Sequence, residues 1–311
     1  MSPVAIALLA SALLSASPAQ GDCMPRWMEE LWPDPKSVAF RPTSLDERAA
    51  FASLVPELLC RAEAGGAPPP ELVSLARSAG FALEAREHGG ERFWVLREEA
   101  SNRHGAGAYV FRTGKTTEDV LQAPHVYFDQ GTGEIAARLF LCAPAAQRPR
   151  VMMTNTAHRY RSRPDETRAD RDHPADVAHN PEHLFQGVTD ALARALPHLR
   201  VIQLHGFGPG EGEGEGGRTV SAVISSGARV PTSWVRQVSA KLVPVLGQGV
   251  RLYPSGGRAL GGTTNAQARL LQAYPGARFL HLELSADSRR ELSSPERLEQ
   301  LAEVLFAPEE G

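Results

Sequence analysis

Val120-Leu121-Gln122-Ala123-Pro124-His125 and Val201-Ile202-Gln203-Leu204-His205 decide the fold class of this chain. Both are short apolar runs that end in a histidine, and comparable apolar runs occupy 151–154, 250–253 and 279–284. Stretches with helical spacing of apolar residues separate these runs. This alternation predicts an α/β fold in three layers, with a mostly parallel mixed sheet between two layers of helices. The predicted helices are one that follows a cap at Asn180-Pro181, one over 232–246 and one over 295–306.

The chain before residue 118 follows other patterns. A nearly unbroken apolar run from Val4 to Ala16 is followed by small and polar residues, which is typical of an export signal. Residues 22–80 are predicted to form a helical accessory segment, because Ser44 to Glu47 forms a capping box. Residues 81–112 favour antiparallel edge strands. We therefore expect a signal peptide at 1–21, an accessory segment at 22–80 and an α/β domain at 81–311.

Export has consequences for localisation and for the cysteines. The protein is expected in the periplasm or outside the cell, with no stable membrane insertion once the signal is removed. In that oxidising compartment Cys23 and Cys60 could pair, while Cys142 is interpreted as a packing residue in a helix. The alternative is an intracellular enzyme whose apolar N-terminus is buried in the fold.

The overall charge bears on possible partners. The 311 residues carry a formal net charge of −3 at pH 7. Without a basic excess, the electrostatic attraction that dominates nucleic-acid binding is missing. We therefore exclude nucleic acid as a partner and expect a small molecule or a peptide.

Polar residues at the ends of the predicted strands indicate a metal site. Ligands bind at the carboxyl ends of strands in a parallel sheet, and His125, Asp129, His205 and Glu283 lie at or just after such ends. Two imidazoles and a carboxylate suit a catalytic zinc ion, with one position left for water. We predict that His125, Asp129 and His205 hold Zn²⁺, and that Glu283 takes a proton from the attacking water. Glu134 is a rival for the carboxylate ligand.

Three arginines are candidates for work on the substrate. Arg159 and Arg161 could grip a substrate carboxylate or polarise the scissile carbonyl, because a guanidinium presents a fork of donors. We assign Arg159 a catalytic role and Arg161 a substrate-binding role. Arg289, just past Glu283, is a second candidate for substrate binding. Each of the three could instead be an ordinary solvated charge.

These motifs resemble the N-formylglutamate amidohydrolase family, a relative of the zinc metallocarboxypeptidases and succinylglutamate desuccinylases. The resemblance follows residues 118 to 305 in order. It implies a zinc exopeptidase-like (phosphorylase/hydrolase-like) architecture and an amidohydrolase activity. This sequence departs from the pattern at the expected Asn-Arg pair, where it has His158-Arg159, and in the four-residue step from the first histidine to its acidic partner. The matching elements are Pro124-His125, Asp129 to Ala136, His158 to Arg161, Gln203 to His205, and Leu282 to Leu284 with Arg289-Arg290.

The predicted function is a zinc-dependent hydrolase that cleaves an amide or peptide bond in a small acylated amino acid or at a peptide terminus. The alternative is an exported, non-catalytic binding protein on the same fold with a degenerate metal site.

Overall fold

One mixed β-sheet forms the centre of the protein, and helices cover both of its faces. The structure is a computed structural model that describes residues 24–160, 173–208, 219–257 and 259–309. Within these ranges the sheet has nine strands in the order β1-β2-β3-β5-β4-β6-β9-β7-β8. The strands are β1 Phe81–His88, β2 Glu91–Glu98, β3 Ala108–Arg112, β4 Asp119–Ala123, β5 Val151–Thr154, β6 Arg200–Phe207, β7 Ala222–Ser225, β8 Val250–Leu252 and β9 Arg278–Ser285. The predicted α/β architecture is confirmed.

The pairing pattern divides the sheet into a parallel centre and antiparallel flanks. Strands β5, β4, β6 and β9 run parallel to one another. On one side β1, β2 and β3 continue the sheet with antiparallel pairing, as their aromatic and β-branched residues predicted. On the other side β7 pairs antiparallel with β9 and parallel with β8. The carboxyl ends of β4, β6 and β9 therefore meet at one edge of the parallel centre.

Each face of the sheet packs against its own set of helices. Alternate residues of β4 show the division, since Leu121 belongs to one buried cluster and Val120 to the other. Helices α4, α6 and α9 bury their apolar faces in the first cluster, and α2, α3, α5 and α7 in the second. The helices are α1 Arg26–Glu29, α2 Leu45–Glu63, α3 Pro70–Ser78, α4 Thr132–Cys142, α5 Leu184–Ala195, α6 Ser233–Leu246, α7 Ala266–Leu271, α8 Ala286–Glu291 and α9 Pro295–Leu305.

The accessory segment predicted over 22–80 contributes to both cores. Helix α2 begins with the predicted capping box at Ser44 and Glu47, and its residues share a buried cluster with strand residues of the sheet. Met28 of α1 packs in the cluster on the opposite face. The boundaries of the accessory segment and of the domain that follows it stay predictions.

Some sequence expectations are wrong and others lie outside the described residues. Cys60 is free and exposed, so it does not pair with Cys23. Cys142 is the disulfide-bonded cysteine, and it is exposed on α4 rather than packed inside. The N-cap of α5 is His183 and not Asn180. The expected signal peptide and Cys23 lie outside the described residues, among which no helix is long and apolar enough to cross a membrane.

Candidate metal centre

The candidate site residues lie at one edge of the sheet, at the ends of three neighbouring strands. His125 follows the end of β4, and His205 lies near the end of β6. Strands β6 and β9 pair in parallel with His205 directly beside Glu283. The parallel register therefore places residues that are far apart in sequence next to one another, as the positions of these residues after apolar runs predicted.

A single turn of backbone brings Asp129 to His125. The backbone N–H of Asp129 donates to the carbonyl oxygen of His125 at 2.8 Å, an i to i+4 bond that places the two side chains on the same side. The chain then continues directly into α4, because the backbone carbonyl oxygen of Asp129 accepts from the backbone N–H and the hydroxyl of Thr132. The local pair expected from the sequence is thus a consequence of the turn that starts this helix.

The structure brings His125, Asp129 and His205 together. One oxygen of Asp129, Oδ2, lies 3.1 Å from His205 Nδ1 and 3.4 Å from His125 Nδ1. Candidate ligand atoms of the three residues all lie within 4.8 Å of one another, and all three residues are buried. Two ligands of a tetrahedral zinc ion are about 3.3 Å apart, given zinc bonds of about 2.0 to 2.1 Å. The spacing of these three side chains fits that geometry.

The second nitrogen of each imidazole is held by a buried acceptor. His125 Nε2 lies 2.9 Å from Asp176 Oδ1, and His205 Nε2 lies 2.8 Å from Gln203 Oε1. Histidines that bind metals typically donate their remaining N–H to such a partner, which fixes the orientation of the ring. In both histidines it is Nδ1 that points toward Asp129.

His205 cannot satisfy both of its buried neighbours by donating hydrogen bonds. Burial lowers the pKa of His205 to about 4, even though its hydrogen bond to Asp129 acts in the opposite direction. Burial alone would raise the pKa of Asp129, but His125 and His205 hold the pKa of this carboxyl well below its usual range. A neutral His205 has one N–H, yet it faces an acceptor at each nitrogen. His125 Nδ1 is buried without a hydrogen-bond partner among the described residues. A cation between these atoms removes the conflict, so the residues fit a bound metal.

Glu283 and His281 stand beside the three candidate ligands. Glu283 is 9% exposed and lines the cavity at the site. His281 Nε2 lies 3.7 Å from Glu283 Oε1, and the ring of His281 packs against that of His205 with centroids 4.6 Å apart. His205, His281 and Glu283 also satisfy the distances of a three-ligand group. The two groups share His205.

Arg159 lies at the wall of the same cavity. Its guanidinium donates to Asp176 Oδ2 through Nε at 3.1 Å and Nη2 at 2.5 Å, so one carboxylate holds both His125 and Arg159. The guanidinium also stacks on Tyr160, with 4.6 Å from its carbon to the ring centroid. The side chain is therefore fixed in place before any substrate arrives.

The remaining predicted site residues have different surroundings. Arg289 donates to the backbone carbonyl oxygens of Leu284 and Phe207, and burial lowers its pKa while Asp129 and Glu283 act to raise it. Glu134, the rival ligand, pairs with Arg138 at 3.0 Å on α4 and does not join the histidines. Arg161 lies outside the described residues.

A cavity of about 290 Å³ opens onto the cluster. The loop at 259–265 forms one wall, and Gly262 lies directly over His281. Gly262 has a φ of +59°, and a Cβ there would come within 2.9 to 3.0 Å of the His281 ring. Glycine thus permits both the turn and the close approach. The lining residues include His125, Arg159, His179, His205, Thr264, Asn265, His281 and Glu283.

Sequence reasoning missed three residues of the site. Gln203 and His281 precede His205 and Glu283 by two positions, and residues two apart on a strand face the same side. That spacing could have identified both. Asp176 has no comparable signal, because it comes from a loop that only the tertiary fold brings to His125.

No protein-family model and no curated protein matches the chain. Among solved structures, it is similar to an aspartoacylase family protein from Mesorhizobium loti, with 14% identity, a TM-score of 0.38, and coverage of 74% of this chain and 68% of the other. It is also similar to a candidate metallopeptidase from Shewanella amazonensis, with 10% identity, a TM-score of 0.35, and coverage of 83% and 93%. Likenesses this distant decide neither the fold nor the chemistry.

Proposed function

We propose that this protein is a zinc-dependent hydrolase of amide or peptide bonds, exported from the cytoplasm and related to the N-formylglutamate amidohydrolases. The observation that carries the proposal is the arrangement around Asp129. Two buried imidazoles present Nδ1 to one carboxylate oxygen at 3.1 and 3.4 Å, while their other nitrogens face buried acceptors. Such an arrangement is unfavourable without a cation and favourable with one.

Glu283 is the proposed general base and acid. A zinc ion, when bound, polarises a carbonyl and lowers the pKa of a coordinated water to about 7. Glu283 lies beside His205 in the strand register and lines the cavity, so its carboxylate can accept a proton from the attacking water and return it to the leaving amine.

Arg159 is the proposed partner of the carbonyl oxygen or of a substrate carboxylate. Its guanidinium lines the cavity and is held by Asp176, which prepares it for charge that develops during the reaction. Arg161 and Arg289 are proposed for substrate binding. Arg289 would bind the substrate through N–H groups other than those that donate to the carbonyl oxygens of Leu284 and Phe207.

The size of the cavity favours a small substrate. Its volume of about 290 Å³ is at the lower limit of ligand pockets, which span about 300 to 1,000 Å³. A small acylated amino acid or the last residue of a peptide matches a cavity of that size.

The proposal is tested by metal content and by one glutamate substitution. Purified wild-type protein is expected to carry about one zinc per chain and to hydrolyse members of a panel of N-acyl amino acids and dipeptides. Glu283→Gln should retain the zinc and lose about 10²- to 10⁴-fold in turnover, because it removes the proton acceptor. Glu134→Gln is the matched control and should change neither.

Two results would contradict this function. Absence of zinc from protein prepared without chelators would remove the metal centre. A Glu283→Gln variant with unchanged substrate binding, in a protein that shows no turnover at all, would instead support the non-catalytic binding protein.

A further inference from the structure

We infer that Gln203 is a positioning residue that fixes His205 with its proton on Nε2, so that Nδ1 is the nitrogen available to the metal. The inference rests on the proposed metal site and adds a determinant of its geometry. It is drawn from a network of buried side-chain amides behind His205.

The network connects His205 to strand β4 and to helix α7 with its N-cap residue. Gln203 Oε1 accepts from His205 Nε2 at 2.8 Å and from Asn265 Nδ2 at 2.5 Å. Gln203 Nε2 donates to Gln122 Oε1 at 2.8 Å and to Gln267 Oε1 at 3.1 Å. All four amide side chains are at most 2% exposed. Gln203 therefore uses its oxygen toward His205 and its nitrogen toward the interior.

Backbone groups determine which way these amides point. Gln267 Nε2 donates to the carbonyl oxygen of Val177 at 2.9 Å, and a carbonyl can only accept. Asn265 Oδ1 accepts from the backbone N–H of Ala268 at 2.9 Å, and an N–H can only donate. Consequently Gln267 presents its oxygen to Gln203, and Asn265 presents its nitrogen.

Both anchors force the same orientation on Gln203. If the amide were reversed, its nitrogen would face the nitrogen of Asn265, and its oxygen would face the oxygen of Gln267. An oxygen toward His205 requires a proton on Nε2, which leaves the lone pair of Nδ1 directed at Asp129. The tautomer of a proposed metal ligand is thus set by helix α7 and the loop at Val177, through Gln203.

Two measurements test this inference on zinc-loaded protein. In ¹⁵N-labelled wild type, long-range ¹H–¹⁵N spectra at pH 7.5 should show His205 protonated at Nε2 and not at Nδ1. In a chelator competition, Gln203→Met should bind zinc about 10- to 100-fold more weakly, which is the usual cost of losing a residue that orients a ligand.

Gln122→Met is the matched control, because Gln122 is equally buried in the same network but does not touch His205. It should lower stability and leave zinc affinity within about threefold of wild type, well below the usual orienting effect. Protonation of His205 at Nδ1, or equal affinities for Gln203→Met and wild type, would overturn the inference. If Gln203→Met does not fold, the wild-type spectrum alone decides. A wild type that binds no zinc contradicts the proposed function instead, so the two failures are distinguishable.

Discussion

Charged or titratable side chains lie at both ends of strands β4 and β6, and the surroundings of these side chains differ between the two ends. At the strand starts, Arg200 donates to both oxygens of Asp119 at 2.6 and 2.7 Å, and Thr117 donates a further bond to the same carboxylate. Arg200 also donates to the backbone carbonyl oxygens of Ala307 and Phe306. At the strand ends, His205 faces an acceptor at each of its two nitrogens, although the neutral ring has only one N–H. The first arrangement is complete without a ligand, whereas the second fits a bound cation.

The largest expected effect comes from removing a residue at the ligand end. His205→Ala deletes one of three proposed ligands, so the purified variant should contain no stoichiometric zinc and show no turnover. Metal analysis and the substrate panel measure both. His183→Asn is the control, since His183 is also a buried histidine but lies apart from the cluster, and it should retain its zinc. Zinc at wild-type stoichiometry in His205→Ala would contradict the proposed ligand set.

At the opposite end the expected effect is on stability alone. Asp119→Asn leaves the guanidinium of Arg200, whose side chain is 12% exposed, without its charged partner. Breaking a fully buried pair in this way costs about 3 to 5 kcal/mol, so we expect a loss of up to that size. Urea unfolding of the metal-free proteins measures this loss. Zinc stoichiometry should be unchanged, because the substitution lies at the opposite ends of these strands from the proposed ligands. A loss of zinc would show that the two ends are not independent.

Much of this difference between the two strand ends could be predicted from the sequence, because polar residues stand at the ends of the predicted strands. His125, Asp129, His205 and Glu283 each follow or end an apolar run, and the parallel register then brings them together. Asp176 and the network behind Gln203 could not be predicted, since their partners come from loops and helices whose positions depend on the whole fold. The disulfide was misassigned because three cysteines with no characteristic spacing give no information about which two meet.

A third buried histidine, His183, resembles the ion pair at the strand starts, because both of its ring nitrogens have hydrogen-bond partners. His183 caps α5 by accepting from the backbone N–H of Phe185 at 3.0 Å, and its Nε2 donates to the carbonyl oxygen of Gly105 at 2.9 Å. Protonation would place a second N–H against that of Phe185. Burial lowers the pKa of His183 from 6.5 to about 4.

This pKa implies a loss of stability in acid. A histidine whose pKa is lower in the folded state stabilises the fold fully above pH 6.5, and that contribution falls as the pH drops from 6.5 toward 4. The total is about 3 kcal/mol, at 1.36 kcal/mol per pKa unit. Unfolding measured across this range for metal-free wild type and His183→Asn should show a shallower pH dependence in the variant. Parallel curves would contradict the assignment.

The smallest expected effects separate backbone strain from disturbance of the site. Gly114 and Gly262 have φ angles of +79° and +59°, so alanine at either is strained by about 1 to 2 kcal/mol. A Cβ at Gly114 meets nothing within 4 Å, whereas one at Gly262 comes within 3.0 Å of the His281 ring. Gly114→Ala should therefore lower only stability.

Gly262→Ala should lower stability by at least as much and in addition reduce turnover, because His281 must shift and it packs against His205. Thermal unfolding and steady-state kinetics of the two variants measure the difference. Equal turnover in both variants would mean that the loop at 259–265 contributes only to stability, as the loop before β4 does. Reduced turnover in Gly262→Ala alone would show that the close packing of Gly262 against His281 affects the chemistry at the candidate metal centre as well as the stability of the fold.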